Sequence, residues 1–168
     1  MADIDVAAQV QERGLDHPIL EHDAAGRWLG FTVEHLAPGE ATIQMVLRPE
    51  MLNGFHIAHG GMVFSLADTA FALACNPAGT SVSDMELITV ASGADITFIS
   101  SALPGETLRA VASHRASAGR SGVYDVEITA SGPGIVGNCD FSCRMPAGFL
   151  AQWQRNHEQF PLGVDMLL

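Results

Sequence analysis

Two periods of hydrophobicity organise the chain. Residues Glu40–Leu47 read EATIQMVL, and Ala41, Ile43, Met45 and Leu47 fall on one side. A period of two predicts a half-buried strand. The preceding Arg27–Ala37 (RWLGFTVEHLA) is rich in β-favouring residues, and Pro38-Gly39 supplies a turn, so the two segments predict a hairpin. Pro49–Ala58 follows as a loop containing Asn53-Gly54. The pattern then changes. Gly60–Asn76 (GGMVFSLADTAFALACN) is apolar on nearly every side, which predicts a long helix buried on most sides, ended by Pro77 and Gly79. Ile88–Ile99, Thr107–Ala118, Ser121–Ala130 and Ile135–Met145 return to strand character, with turns at Pro104-Gly105, Gly119 and Gly132-Pro133-Gly134. Residues 3–24 look helical, with a break near Gly14 and Pro18; 80–87 reads as an exposed loop, and 149–168 as a tail holding at most a short helix.

Two strands, one buried helix and four more strands predict an α+β architecture. A strongly curved antiparallel sheet wraps the helix. The sheet's other face is left open, so association through that face or a free edge is expected.

Composition narrows the partners. The 168 residues are 48% apolar, enough for one domain with a real core. Net charge is −11, and all eight basic residues are arginines. Nucleic acid and anionic membranes are therefore not expected partners. The opening MADIDVAAQV has no basic stretch followed by an apolar core, and Cys75, Cys139 and Cys143 have no disulfide-framework spacing. A cytoplasmic location is the expectation.

The chemistry sits on the predicted helix. Asp68 is the only charged residue between Gly60 and Cys75. A carboxylate among apolar side chains costs free energy unless it is paired, hydrogen-bonded or used. His59-Gly60-Gly61 marks the helix start, where unpaired N–H groups and partial positive charge receive anions. At 100° per residue Gly61, Ser65, Asp68, Thr69 and Ala72 form one small, polar stripe, suited to a substrate channel or to another backbone. Eight residues of helix separate Gly60 from Asp68 by about 12 Å, so one reacting carbonyl cannot touch both. If both serve one site, the second must come from another copy of the chain.

Other constellations carry less. His56 and His59 lie three apart but lack a third ligand at a known spacing, so no metal is expected. Ser65 is not in a nucleophile elbow, and Gly60-Gly61 fits neither dinucleotide nor P-loop patterns. Cys139 and Cys143 read as small core residues. Arg109, Arg115 and Arg120 with His114 read as solvated surface or as a phosphate-binding cluster.

The run M-L-N-G-x(4)-H-G-G-x(2)-F-S-L-A-D-x-A-F-A-x-A-C-N over Met51–Asn76 resembles the signature of hotdog-fold acyl-CoA thioesterases of the phenylacetate-pathway (PaaI-like) type. I-T-F (96–98), P-G-E-T-L (104–108) and G-V-Y-D-V-E-I (122–128) are similar as well, so the resemblance covers about residues 25–145 within one domain spanning 1–168. It implies a hotdog fold, paired into homodimers with composite sites and these into homotetramers. It implies hydrolysis of an aryl- or acyl-CoA thioester, phenylacetyl- or hydroxyphenylacetyl-CoA among them, to the free acid and CoA. No separate cofactor is implied, since CoA is part of the substrate. Asp68 matches the catalytic carboxylate, acting as nucleophile or as base on water. Gly60 matches the backbone N–H that polarises the carbonyl, and Gly61 lies beside it. His59 and Asn53 match polar positions that orient this corner. Thr69 borders the site, and Arg120, Ser121 and Gly122 are the expected contacts for pantetheine or nucleotide. The aromatic lining on offer is Phe55, Phe64 and Phe71. Where relatives carry F-L-R-P, this chain has Phe98-Ile99-Ser100-Ser101. Two alternatives remain on the same fold: a non-catalytic acyl-CoA-binding module, and a hydratase or dehydratase, which needs an acid–base pair at a Cα–Cβ bond.

Overall fold

The strand order β1-β2-β4-β5-β6-β3 describes one six-stranded antiparallel sheet. The strands are β1 (Thr32–Ala37), β2 (Glu40–Val46), β3 (Val90–Phe98), β4 (Thr107–Ala118), β5 (Ser121–Ala130) and β6 (Gly134–Arg144). A short helix, α1 (Ala24–Leu29), precedes the sheet, and the long helix α2 (Gly60–Cys75) lies between β2 and β3. This is a computed structural model, and it describes residues 17–21, 23–76, 88–132 and 134–144. Of the segment 3–24 read as helical, residues 3–16 and 22 lie outside the described residues, as do the 80–87 loop and the 149–168 tail; the described part holds a short 3-10 turn at Pro18–Leu20.

The curved sheet around one helix is the predicted α+β hotdog architecture, with α2 packed chiefly on β4 and β2. Small side chains bring the helix close. Ala67, Ala70 and Ala74 of α2 and Ala41, Ala110 and Ala112 of the sheet are all buried. The alternation read from β2 holds, since Ala41, Ile43, Met45 and the following Leu47 are 0–1% exposed. Inward positions of β5 and β6 supply Val126, Ile128, Cys139 and Phe141. Phe71 stacks on Phe141 at 4.7 Å and meets Tyr124 edge-on at 5.4 Å, which joins α2 to the middle of the sheet. Burying one such ring contributes about 1.5–3 kcal/mol.

One boundary differs from expectation. Arg27–Leu29 belongs to α1, not to a strand, and β1 starts at Thr32. Asp23 caps α1 by accepting the Gly26 N–H at 2.8 Å, and Gly30 ends it at φ 70° in the left-handed region. Capping at both ends outweighs the β-favouring Trp28.

Among the described residues strand β3 pairs with β6 alone, and Ala91–Asp95 are exposed throughout. One side of its backbone ladder has no partner strand among the described residues.

Candidate active site

The loop before α2 builds one corner of the site. Leu52 and Ala58 form an isolated antiparallel bridge. Inside it, Asn53 Oδ1 accepts the N–H groups of Phe55 at 2.9 Å and Ile57 at 3.5 Å. The Asn53 N–H in turn donates to Ile57 O at 2.9 Å. The bridged loop is tied down at its exit, where the Ala58 N–H donates to Ala102 O and the His59 N–H to Met51 O, both at 2.9 Å. Asn53 is thus an Asx-type organiser of the turn that delivers the chain into the helix.

His59 is the N-cap of α2. Its Nδ1 accepts the Gly61 N–H at 2.9 Å, while its carbonyl accepts from Met62 at 2.8 Å and Val63 at 3.3 Å. An accepting Nδ1 places the ring proton on Nε2. Among the described residues, nothing accepts the Gly60 N–H. The structure thereby separates the two glycines that the sequence left side by side. Gly61 is consumed by the cap, and Gly60 keeps an open donor at the positive end of a sixteen-residue helix.

Asp68 lies two turns further on, about 12 Å along the axis. The sequence predicts a sunken carboxylate, but Asp68 is exposed in the single chain. The helix presents Val63, Leu66, Ala67, Ala70, Phe71, Leu73 and Ala74 to the core, and the stripe of Gly61, Ser65, Asp68, Thr69 and Ala72 faces outward. Partial burial still strips water from the carboxyl and pushes its pKa upward. Ser65 Oγ donates to Gly61 O at 2.7 Å and Thr69 Oγ1 to Ser65 O at 2.9 Å. Both hydroxyl protons are used within the helix, so Thr69 offers the stripe only its oxygen lone pairs.

The predicted pantetheine contacts are not at this corner of the same chain. Ser121 pairs with Arg144, and Arg144 with Val90; Cys75 and Asn76 meet Thr89. The β4–β5 tip therefore lies at the Cys75 end of α2, a helix length from Gly60. Gly122 has a packing reason of its own, since a Cβ there would lie 3.1 Å from Cys143 Sγ. The arginines do not form one phosphate cluster either. Arg109 pairs with Glu34 at 2.6 Å, and Arg115 with Asp125 at 2.7 Å and Asp140 at 3.2 Å. Arg120 has no ion pair among the described residues.

Of the three aromatic rings offered as lining, Phe71 is core at 1% exposure, Phe64 is half-buried against Phe141 at 5.7 Å, and Phe55 is exposed. Cys139 and Cys143 are buried as read, and burial pushes the Cys139 thiol up to about 12. Phe98 is the site residue that sequence reasoning missed. A Cβ on Gly60 would lie 2.9 Å from its ring tip, a contact across the fold that no local spacing announces.

The sequence pattern of the thioesterase superfamily matches residues 55–136, which hold the loop, α2 and the strands through the start of β6. A second pattern, that of a bacterial phosphonate metabolism protein (PhnH), matches residues 110–168; where the two overlap, the strands belong to the one sheet described above. The acyl-coenzyme A thioesterase PaaI of Escherichia coli is 42% identical over 112 residues, 67% of this chain and 75% of that protein. The solved structure of the E. coli PaaI protein from the phenylacetic acid degradation operon superposes with a TM-score of 0.70 at 34% identity, covering 84% of this chain and 94% of that one. A variant of the phenylacetic acid degradation protein PaaI from Thermus thermophilus gives 0.64 at 31% identity, over 73% and 98% of the two chains.

Proposed function

The chain belongs to the thioesterase superfamily as a PaaI-like acyl-CoA thioesterase, a hydrolase, and on that premise we propose that its reacting centre is shared between two copies of α2. In this reading the Gly60 N–H of one protomer holds the thioester oxygen, and Asp68 of the other attacks or activates water. The observation that carries it is a pair of facts about one helix. Gly60 has the first-turn amide left without an acceptor among the described residues, and Asp68 is exposed on the same helix, about 12 Å away. A second chain packed along the outward stripe would bring its own Asp68 to the first chain's Gly60, and would cover a carboxylate that the lone chain leaves open.

The chemistry follows from these groups. As the nucleophile's oxygen bonds to the carbonyl carbon, the C=O electron pair moves to oxygen and is held by the Gly60 N–H and the helix end behind it. Asp68 acts in one of two ways. As a base it removes the proton from the attacking water; as a nucleophile it forms a mixed anhydride, which water then opens. Collapse of the tetrahedral intermediate breaks the C–S bond and expels the CoA thiolate, which takes up a proton. A thiolate leaves readily, so no strong acid is needed at the sulfur. His59 and Asn53 hold the loop and the cap, and Arg120, Ser121 and Gly122 reach the CoA portion from the far end of a subunit. Aryl-acetyl thioesters are the first substrates to test, phenylacetyl- and hydroxyphenylacetyl-CoA among them.

Subunit mixing tests the shared site. Asp68→Asn and Gly60→Ala proteins are each expected to release little thiol from acyl-CoA. Refolded together at equal amounts, they regain about a quarter of the wild-type sites, because half of the random dimers are mixed and each mixed dimer carries one intact site. No recovery above the sum of the parents would place both groups in one chain, and tight acyl-CoA binding without turnover in the wild type would make the protein a binding module.

A further inference from the structure

Phe98 is the last residue of β3, and it is 52% exposed. It takes no part in the buried core cluster. Large aromatic side chains are usually buried, so a half-exposed ring calls for a reason. The backbone that carries it is fixed. The next two N–H groups, of Ile99 and Ser100, donate to Val136 O at 2.9 and 3.2 Å, and Ser100 Oγ donates to Ile135 O at 2.6 Å. From this anchored strand end the ring reaches across to the start of α2. A Cβ built on Gly60 would lie 2.9 Å from Phe98 Cζ and 3.4–3.5 Å from the two Cε atoms. The ring therefore points its tip at residue 60, and the open space there is the size of a hydrogen.

We infer that Phe98 is the positioning and specificity residue of the acyl corner: its ring tip requires glycine at position 60, and its free face is the wall against which the thioester's acyl group packs. The inference rests on the reading that the Gly60 N–H receives the thioester oxygen. Two physical points join the roles. The acyl carbon is bonded to the oxygen that Gly60 binds, so the groups on that carbon lie close to whatever borders Gly60, and Phe98 borders it. An aromatic wall beside an amide donor also excludes water, and a donor in a drier place stabilises developing charge more. Glycine at 60 is thus explained by the contact across the fold. The backbone does not demand it, since Gly60 is not among the residues with positive φ.

The test is a cycle of Gly60→Ala, Phe98→Ala and the double variant, with kcat and KM measured on phenylacetyl-CoA and on acetyl-CoA. Gly60→Ala alone forces the ring or the helix start to move, and kcat falls roughly tenfold to hundredfold, as expected of a misplaced reacting group. In the Phe98→Ala background the same substitution costs less than about threefold, because nothing is left to collide. Phe98→Ala also shifts the phenylacetyl-to-acetyl ratio of kcat/KM by about tenfold or more toward acetyl, the effect of removing an apolar wall. Phe98→Leu retains most of the preference. An equal cost of Gly60→Ala in both backgrounds, a harmless Gly60→Ala, or an unchanged ratio in Phe98→Ala would each overturn the inference. Should Gly60→Ala fail to fold, the ratio measured with Phe98→Ala and Phe98→Leu decides alone. An Asp68→Asn control keeps the two readings apart. If that variant still turns over, the shared site itself fails; if it is dead while Phe98 has no effect, only the present inference falls.

Discussion

His59 Nδ1 accepts the Gly61 N–H at 2.9 Å, and this one bond decides which amide at the start of α2 stays open. Removing the cap by His59→Ala is expected to cost about 1 kcal/mol of stability, the usual value for a lost N-cap. It also frees a second amide next to Gly60, which then competes for the thioester oxygen. His59→Asn should recover the stability, because a short carbonyl side chain caps well. Urea denaturation and thiol-release kinetics read the two effects separately, and equal stability of His59→Ala and wild type would show that the bond does not support the helix.

Asp68→Asn is expected to lower turnover by about a hundredfold or more without unfolding the protein, as for a group needed in the transition state. Its pKa is raised from 3.8 by loss of water. The folded chain then binds this proton more tightly than the unfolded chain. Stability from this group is therefore lost as pH rises from the ordinary carboxylate value through the raised one. At neutral pH Asp68→Asn should melt no lower than wild type, and higher if a partner covers the site. In activity the same shift acts oppositely, with the rate falling as acid protonates Asp68. A drop in melting temperature for Asp68→Asn would mean that the carboxylate supports the fold.

Asn53 uses its Oδ1 twice, for Phe55 and Ile57, and among the described residues its Nδ2 has no partner. Asn53→Asp keeps both acceptor bonds and should preserve stability. Asn53→Ala loses both, at about 0.5–1.5 kcal/mol each. If Asn53 only shapes the loop, Asn53→Asp keeps kcat; if its amide also meets the substrate or the partner, Asn53→Asp is stable yet slow. Calorimetry beside kinetics distinguishes them.

His17 ties the first described segment to the far end of α2. Its Nε2 lies 3.2 Å from Asn76 O, and its Nδ1 accepts the Ile19 N–H at 3.4 Å. Asn76 in turn donates through Nδ2 to Ala72 O and Thr89 O and accepts the Thr89 N–H. Burial lowers the His17 pKa below 6.5, against a smaller opposing effect of the Asn76 carbonyl. The unfolded chain binds that proton more readily, so stability is present above 6.5 and is lost as pH falls below it. Melting temperature should decline from about pH 8 to about 5.5, and His17→Gln should flatten the decline. An identical slope in the variant would remove His17 from the account.

Much of this was legible along the chain. The bounds of β4 and β5 match the sequence reading at both ends, because Gly119 and Gly132 punctuate strong β patterns. The alternation in β2 named its buried face correctly, and the length of α2 followed from its glycines and the apolar run. The short helix α1 was hidden, since a six-residue helix has too few turns to show a period and its residues also suit a strand.

The candidate corner was half legible. His59, Gly60 and Asp68 lie on one helix, so their spacing was set once that helix was recognised. A helix apolar on nearly all sides cannot say which side meets the sheet, and so the chain alone did not reveal that Asp68 faces out. Nor could it reveal that Gly61 is spent on a cap while Gly60 is not, that Arg109 and Arg115 are neutralised by Glu34, Asp125 and Asp140, or that the Phe98 ring borders Gly60. Periodicity and turn chemistry act between residues a few positions apart, so the strands, the turns and α2 could be read along the chain. Contacts between a strand end and a helix start depend on how the whole sheet curls, so the open Gly60 amide, the outward Asp68 and its neighbour Phe98 emerged only once the chain was folded.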